Sequence, residues 1–208
     1  VRNEKIHGIN VTVPFKQTII PLLDKLTPDA KEAKSVNTIY KENNKIVGHN
    51  TDIEGFELAF KSINYKLKNK KIFLLGAGGV VSSIILALRK NGVSKIILAN
   101  RTREKAENLK KIYSDIEIIN WGETTKADLV INATSLGLKN DDQIKLNYSD
   151  VGLNKLFYDV IYNPKQTNFL LKAKQSGNQT ENGKLMFIYQ AQKAFFIWHK
   201  ILPEINDN

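Results

Sequence analysis

Cysteine is absent from this 208-residue chain, methionine occurs once, histidine three times and proline five times. Without cysteine there are no disulfides and no thiolate metal sites. The histidines, His7, His49 and His199, form no recognisable ligand spacing, so no metal is expected. Long apolar runs are lacking too: nothing approaches the roughly 20 residues that cross a bilayer, and no charged-then-apolar leader opens the chain. A soluble cytoplasmic protein with no membrane attachment is the expectation. There is no low-complexity tract and no internal repeat. Methionine is also missing from the start, where "VRNEKIHG" leads directly into a strand pattern, so an N-terminally incomplete chain is expected.

What is present is a 42% hydrophobic composition, enough for one large core or two modest ones. The net charge of +10 suits an anionic partner, either nucleic acid or a phosphorylated small molecule. The basic residues are spread along the whole chain. The densest group, "KLKNKK" at 66–71, holds no aromatic that could stack a base, and it reads as a solvated loop leading into a strand. No nucleic acid is therefore expected as a partner.

From Lys71 onward, apolar strands alternate with amphipathic helices, the pattern of a doubly wound parallel sheet. Five strands are expected at 71–75, 95–99, 116–119, 127–132 and 155–160. Helices are expected at 79–90 and 103–113, with a last helix over 185–200 and a fraying tail "PEINDN". The first 65 residues differ in kind. "GINVTVPFK" alternates like a half-buried strand, and Pro14 then starts a helix that Pro21 bends or divides. "SVNTIY" and "KIVGHN" flank Glu42, Asn43 and Asn44 as a hairpin. In "TDIEGFELAFKSI", Thr51 and Glu54 have capping-box spacing ahead of a helical apolar face. Two domains follow, a substrate-binding one first and a nucleotide-binding one second.

"LLGAGGVVSS" sets Gly76, Ala77, Gly78, Gly79 and Val80 between a buried strand and a helix. Such a turn brings backbone N–H groups and a helix N-terminus to a phosphate. Val81 occupies the place of the third fingerprint glycine, and a simple tight strand-to-helix connection is the alternative. An NAD enzyme usually carries an acid about twenty residues further on. Here the strand ends in Asn100, Arg101 and Thr102, followed by Arg103 and Lys105. Guanidinium matches phosphate oxygens, so NADP(H) is preferred over NAD. The alternative is that these are helix-cap and solvated residues.

The segments "GINVTVPFK", "SVNTI", "GHNTD", "LLGAGG", "NRT", "INATSLG", "YDVIYNP" and "MFIYQAQKAFFIW", in this order from residue 8 to about 198, resemble the shikimate dehydrogenase family. The resemblance implies a Rossmann-like NADP-binding domain at 54–183 and a smaller α/β substrate domain from 1–53 and 184–208. It implies Lys16 and Asp52 as the catalytic pair, with Thr12, Asn37 and Gln190 holding substrate hydroxyls and Tyr162 closing the site. Cofactor contacts would come from the glycine turn, Asn100 to Lys105, Thr134, the backbone at Val160, and Gly183. The implied substrate pair is 3-dehydroshikimate and shikimate, within aromatic amino-acid biosynthesis, and a homodimer is left open. The chemistry agrees, because an ammonium can both stabilise an alkoxide and protonate it. Asn10, Thr12 and Lys16 then form the polar wall of a polyol pocket.

Taken singly, each residue also has a purely structural reading: a surface Lys16, an Asp52 at a helix N-terminus, a turn Asn37, a core Tyr162, a solvated Gln190. The aromatics Phe187, Tyr189, Phe195, Phe196 and Trp198 read as core packing. Against the family pattern, a serine-bearing first strand that holds the substrate carboxylate is missing. Lys34 and Ser35 replace a Gly-Ala pair, which matters little if they face solvent, and Leu185 replaces a glycine. A broader quinate/shikimate dehydrogenase and a non-catalytic nucleotide-binding module are the competing functions.

Overall fold

Four short extended segments near the start pair into one sheet: β1 (Gly8–Asn10), β2 (Lys25–Leu26), β3 (Thr38–Glu42) and β4 (Lys45–His49), in the order β1-β3-β4-β2. The computed structural model describes residues 1–205; the final three residues of the expected tail lie outside the described residues. The β3–β4 hairpin closes through Asn43 and Asn44, both at positive φ, with Glu42 opposite Lys45. This is the two-residue turn that asparagine tolerates best after glycine. The helix α1 (Pro28–Ala33), unforeseen in the sequence, has proline in its first turn and Asp29 at its positive end. Ala30, Val36, Ile39 and Ile46 form the core here.

The opening stretch departs from expectation. Strand pairing stops at Asn10, and of the alternating Ile9, Val11 and Val13 only Val11 is half-buried, packed on the core, while Ile9, Val13 and the following Phe15 are exposed. β1 is a three-residue edge strand paired only with β3 in the sheet, too short to carry the alternation through to Val13. Pro14 starts no helix; the chain makes turns, with Phe15 N–H donating to Thr12 C=O at 2.8 Å. A 3-10 turn follows at Ile20–Leu22, with Pro21 in its first turn rather than dividing a longer helix. At the αL end of α1, Lys34 is exposed at φ 47°, but Ser35 is fully buried, so the two do not both face solvent.

After α2 (Asp52–Ser62), the chain builds β5 (Lys71–Leu75), α3 (Val81–Lys90), β6 (Lys95–Ala99), α4 (Arg103–Ile112), β7 (Glu117–Ile119), β8 (Leu129–Asn132), α5 (Tyr148–Val151), β9 (Leu156–Asp159), α6 (Asn168–Gln175) and β10 (Gln179–Asn182). The six strands are parallel, in the order β10-β9-β8-β5-β6-β7. Counted along this sheet, that is the 3-2-1-4-5-6 order of a doubly wound nucleotide fold. Five strands were expected. The sixth, β10, has no apolar residue and is held by backbone pairing with β9 along its whole length. Inner strands such as "IFLL" and "LVIN" are buried on both faces, as parallel sheets require. Val81 is fully buried in α3.

The last helix, α7 (Lys184–His199), buries only Met186 and Ala194 completely. Phe187, Phe195 and Phe196 are more than a third exposed and so are not core packing, whereas Tyr189 and Trp198 are half-buried, Trp198 lying over Gly8 with its Nε1 donating to Ile39 C=O at 3.1 Å. The inward face is the Met186–Gln190–Ala194 row, four residues apart, with Gln190 half-buried between the two buried residues. It lies against Gly55 of α2, where a Cβ would stand 2.8 Å from Met186 C=O and 2.9 Å from Gln190 Cβ. By packing, the chain divides into one unit of Val1–Tyr65, Ser82–Ala87 and the chain from Leu185, and a second of Lys66–Val81 and Leu88–Lys184. Residues 54–65 thus go with the first unit, because α2 gives its Gly55 face to α7 and its Glu54 to Lys193 at 3.0 Å.

Candidate active site

In the first unit, two backbone bonds strap the irregular segment after β1 to the start of β3. Val11 N–H donates to Asn37 C=O at 2.7 Å, and Val36 N–H donates to Lys16 C=O at 2.8 Å. This strapping holds Lys16 inward, with only 9% of it exposed, among neighbours that are mostly exposed. Its ammonium donates to Asp52 Oδ2 at 2.5 Å, and both side chains are about nine-tenths buried. The other oxygen of Asp52 accepts from Asn37 Nδ2 at 2.9 Å. Asn37 also bonds the Thr51 hydroxyl and takes the Thr51 N–H on its Oδ1 at 2.8 Å, which fixes which end of the amide faces Asp52. Gln190 completes the group, its Oε1 lying 3.4 Å from both Asn37 Nδ2 and Thr51 Oγ1.

Thr51 stands at the N-cap position of α2, but its side chain makes no capping bond, so the capping box that its spacing to Glu54 suggested does not form. Asn50 does that work instead, its Oδ1 accepting from Asp52 N–H at 3.1 Å and Ile53 N–H at 3.3 Å. Its amide nitrogen reaches Ser35 C=O and Ser83 Oγ. Thr51 and Thr38, which bonds Asn37 and Asn10, are site residues that sequence reasoning passed over. The signal was present in "HNTD", where the asparagine is as good a cap as the threonine.

Lys16, Asn37, Asp52 and Gln190 are thus brought together. Thr12 is exposed on the strap itself, with no side-chain hydrogen bond among the described residues. Tyr162 belongs to the second unit and is 44% exposed, so it is not a core tyrosine.

In the second unit the carboxyl ends of the strands lie in one register row, Ala99, Leu75, Asn132, Asp159 and Asn182. The glycine turn leaves this row after Leu75. Gly76 sits at φ 113°, and a Cβ there would come within 2.7 Å of Ala133 C=O, so glycine is required. Gly78 faces open space, its nearest neighbour being Ala133 C=O at 3.9 Å from a built Cβ. At the far end of β6, Arg103 is engaged by Glu107 and Asn120, while Arg101 and Lys105 are exposed. Asn100 Nδ2 donates to Thr102 C=O at 2.7 Å. Thr134 N–H and Oγ1 both donate to Asn132 Oδ1. Gly183 admits no side chain, because a Cβ would collide with Val160 C=O.

Asp159 in this row is fully buried. Burial pushes its carboxyl up to about 6, against the opposing pull of hydrogen bonds from Thr167, Ile161 and Asn132. The folded chain then holds this proton more tightly than the unfolded one. Its contribution to stability is complete below the ordinary value of 3.8 and is lost as pH rises through about 6. Tyr148 and Tyr158, its charge-coupled neighbours, are pushed up by burial and stay protonated over this range. Relative to Asp159→Asn, the protein is expected to lose up to ~3 kcal/mol between about pH 4 and pH 7 in urea unfolding. A difference that does not change with pH would contradict the assignment.

Sheets of this strand order take dinucleotides where the order reverses, which is the position of the Gly76 turn between β5 and β8. The chain is of the dinucleotide-binding oxidoreductase class. Residues 1–39 match the family described as shikimate dehydrogenase substrate binding domain, and residues 57–142 match shikimate / quinate 5-dehydrogenase. The chain is 61% identical over 206 residues to the shikimate dehydrogenase (NADP(+)) of Pelagibacter ubique, covering 99% of this chain and 78% of that one. The crystal structure of the Aquifex aeolicus shikimate dehydrogenase superposes with TM-score 0.88 at 40% identity, covering 98% and 76% of the two chains. A Thermus thermophilus shikimate 5-dehydrogenase in complex with NADP(H) and shikimate gives TM-score 0.88 at 31% identity, covering 98% and 77%. The chain belongs to the shikimate dehydrogenase family.

Proposed function

We propose that this chain catalyses the reversible, NADP-dependent reduction of 3-dehydroshikimate to shikimate, in the cytoplasm and as a step of aromatic amino-acid biosynthesis. The observation that carries the reading is the buried Lys16–Asp52 pair, set beside the amides of Asn37 and Gln190 and the hydroxyl of Thr51. A ketone being reduced becomes an alkoxide that needs a proton and a positive neighbour. Lys16 supplies both: its ammonium faces the forming oxygen and gives up a proton to it, and takes the proton back in the reverse direction. Asp52 anchors the ammonium through Oδ2 and accepts from a ring hydroxyl beside it. Asn37 and Gln190 bind the remaining hydroxyls, with Thr12 on the strap and Tyr162 as further contacts.

The cofactor fits the residues present. Gly76 to Val80 present a turn with open space at Gly78, a cradle that a Cβ would begin to fill. Arg101 and Lys105, together with Asn100, Thr102 and Arg103, would hold a ribose 2′-phosphate, and Thr134, Val160 and Gly183 would line the nicotinamide half. When bound, NADPH supplies the hydride that goes to the ketone carbon. Arg101→Ala is expected to raise the KM for NADPH by about tenfold or more and to leave that for NADH unchanged, since only NADPH carries the phosphate. Equal effects on both would remove Arg101 from the phosphate site.

NADPH oxidation followed at 340 nm with 3-dehydroshikimate is the direct test. Turnover, abolished by omitting either substrate, is the expected result. NADPH binding with no turnover would support the non-catalytic module instead, and faster turnover with quinate and NAD would support the broader dehydrogenase.

A further inference from the structure

Three adjacent parallel strands end in the same way. Asn132 Oδ1 accepts from Thr134 N–H, Asp159 Oδ1 from Ile161 N–H, and Asn182 Oδ1 from Lys184 N–H, each at 3.0 Å and each two residues ahead. These side-chain turns fix how the backbone leaves the sheet. The middle one is tied to its neighbours. Asp159 Oδ1 also accepts from Asn132 Nδ2 at 3.0 Å, and its Oδ2 accepts from Thr167 Oγ1, the cap of α6, at 2.5 Å.

The links continue toward the glycine turn and toward Val160. Asn132 turns both the N–H and the hydroxyl of Thr134 onto its Oδ1, and Thr134 Oγ1 in turn accepts from Leu136 N–H. The Thr134 methyl lies 3.1 Å from where a Cβ on Gly76 would be. Val160 N–H donates to Asn132 C=O at 2.9 Å, its carbonyl occupies the space at Gly183, and the next N–H is the one held by Asp159. The loops bearing Thr134 and Val160 therefore share one buried carboxylate. For stability alone, an apolar residue at 159 would avoid the desolvation cost of a buried charge.

We propose that Asp159 is a positioning residue for dinucleotide binding: through Asn132 and the Ile161 N–H it sets the two strand-exit loops that carry Thr134 and Val160. The proposal rests on the cofactor site described above. It assigns Asp159 no contact with substrate and no step in proton transfer.

The test is NADPH affinity, read by the rise in NADPH fluorescence on binding, together with the KM for shikimate. Asp159→Ala removes the acceptor for Ile161 N–H and cuts the tie to Asn132. It is expected to weaken NADPH binding about tenfold or more while the shikimate KM stays within about twofold. Asp159→Asn keeps an oxygen for the same two donors and is expected to restore affinity to within about threefold. Asn132→Ala breaks the tie from the other strand and should match Asp159→Ala, which gives a second reading if Asp159→Ala does not fold. Unchanged NADPH affinity in Asp159→Ala and Asn132→Ala, or a parallel rise in both constants, overturns the proposal. Arg101→Ala separates the two levels. If it weakens NADPH binding while the Asp159 variants do not, only the positioning role fails; if none of them does, the cofactor site itself is misplaced.

Discussion

Replacing Lys16 with methionine is expected to lower kcat for NADPH-dependent reduction of 3-dehydroshikimate by about 10²- to 10⁴-fold, the usual contribution of a positioned acid–base group. Methionine keeps the apolar stem, so the strap from Val11 to Lys16 and its bonds to Val36 and Asn37 are retained. What disappears is the proton donor and the positive charge facing Asp52. The variant also leaves Asp52 buried with only Asn37 as a side-chain donor, and an unpaired buried charge costs ~3–5 kcal/mol. The double variant Lys16→Met, Asp52→Asn separates the two effects. It should recover most of the lost stability in urea unfolding and none of the lost kcat. A single variant retaining kcat to within about fivefold would remove Lys16 from the chemistry.

Gly183→Ala is expected to weaken NADPH binding by about 100-fold, with kcat at saturating cofactor far less affected. A Cβ at 183 meets the carbonyl carbon and oxygen of Val160 head-on, and these are backbone atoms with no flexible end to give way. Val160 is held on its other side by the bond from its N–H to Asn132 C=O. The carbonyl has to retreat by about 1 Å, a displacement that costs ordered sites on the order of 100-fold. The substitution acts through crowding, so serine should do as much damage as alanine. An affinity within about threefold of the parent protein would mean that the Val160 backbone lies outside the cofactor site.

The nucleotide half was the more legible part of the chain, for a physical reason. Strands buried on both faces, such as "KIFLL" and "KIILA", announce themselves as unbroken apolar runs, and both occupy the expected residues. β10 escaped because "QTEN" contributes backbone bonds and no apolar side chain, so no hydrophobic pattern marks it. In the first unit, local patterns competed with tertiary demands. Thr51 and Glu54 have the spacing of a capping box, yet Asn37 draws the Thr51 hydroxyl away and Asn50 takes the cap. Ile9 and Val13 alternate like a buried strand, but an edge strand followed by a proline turn leaves them in solvent. The Lys16–Asp52 pair proposed for catalysis could be read only through family resemblance, because nothing local to either residue reports a neighbour thirty-six residues away. The same holds for Gln190, which arrives from the last helix.

Gly55 shows where a conventional survey of this protein would go blind. Scanning experiments judge a position by what is lost when its side chain is cut back, and this position has nothing to lose. Its value lies in being empty: the last helix rests directly on it, and Gln190 reaches Thr51 and Asn37 only because that space is left unfilled. Part of the Lys16–Asp52–Asn37 cluster's makeup is thus encoded as a missing methyl group, visible only to experiments that add atoms.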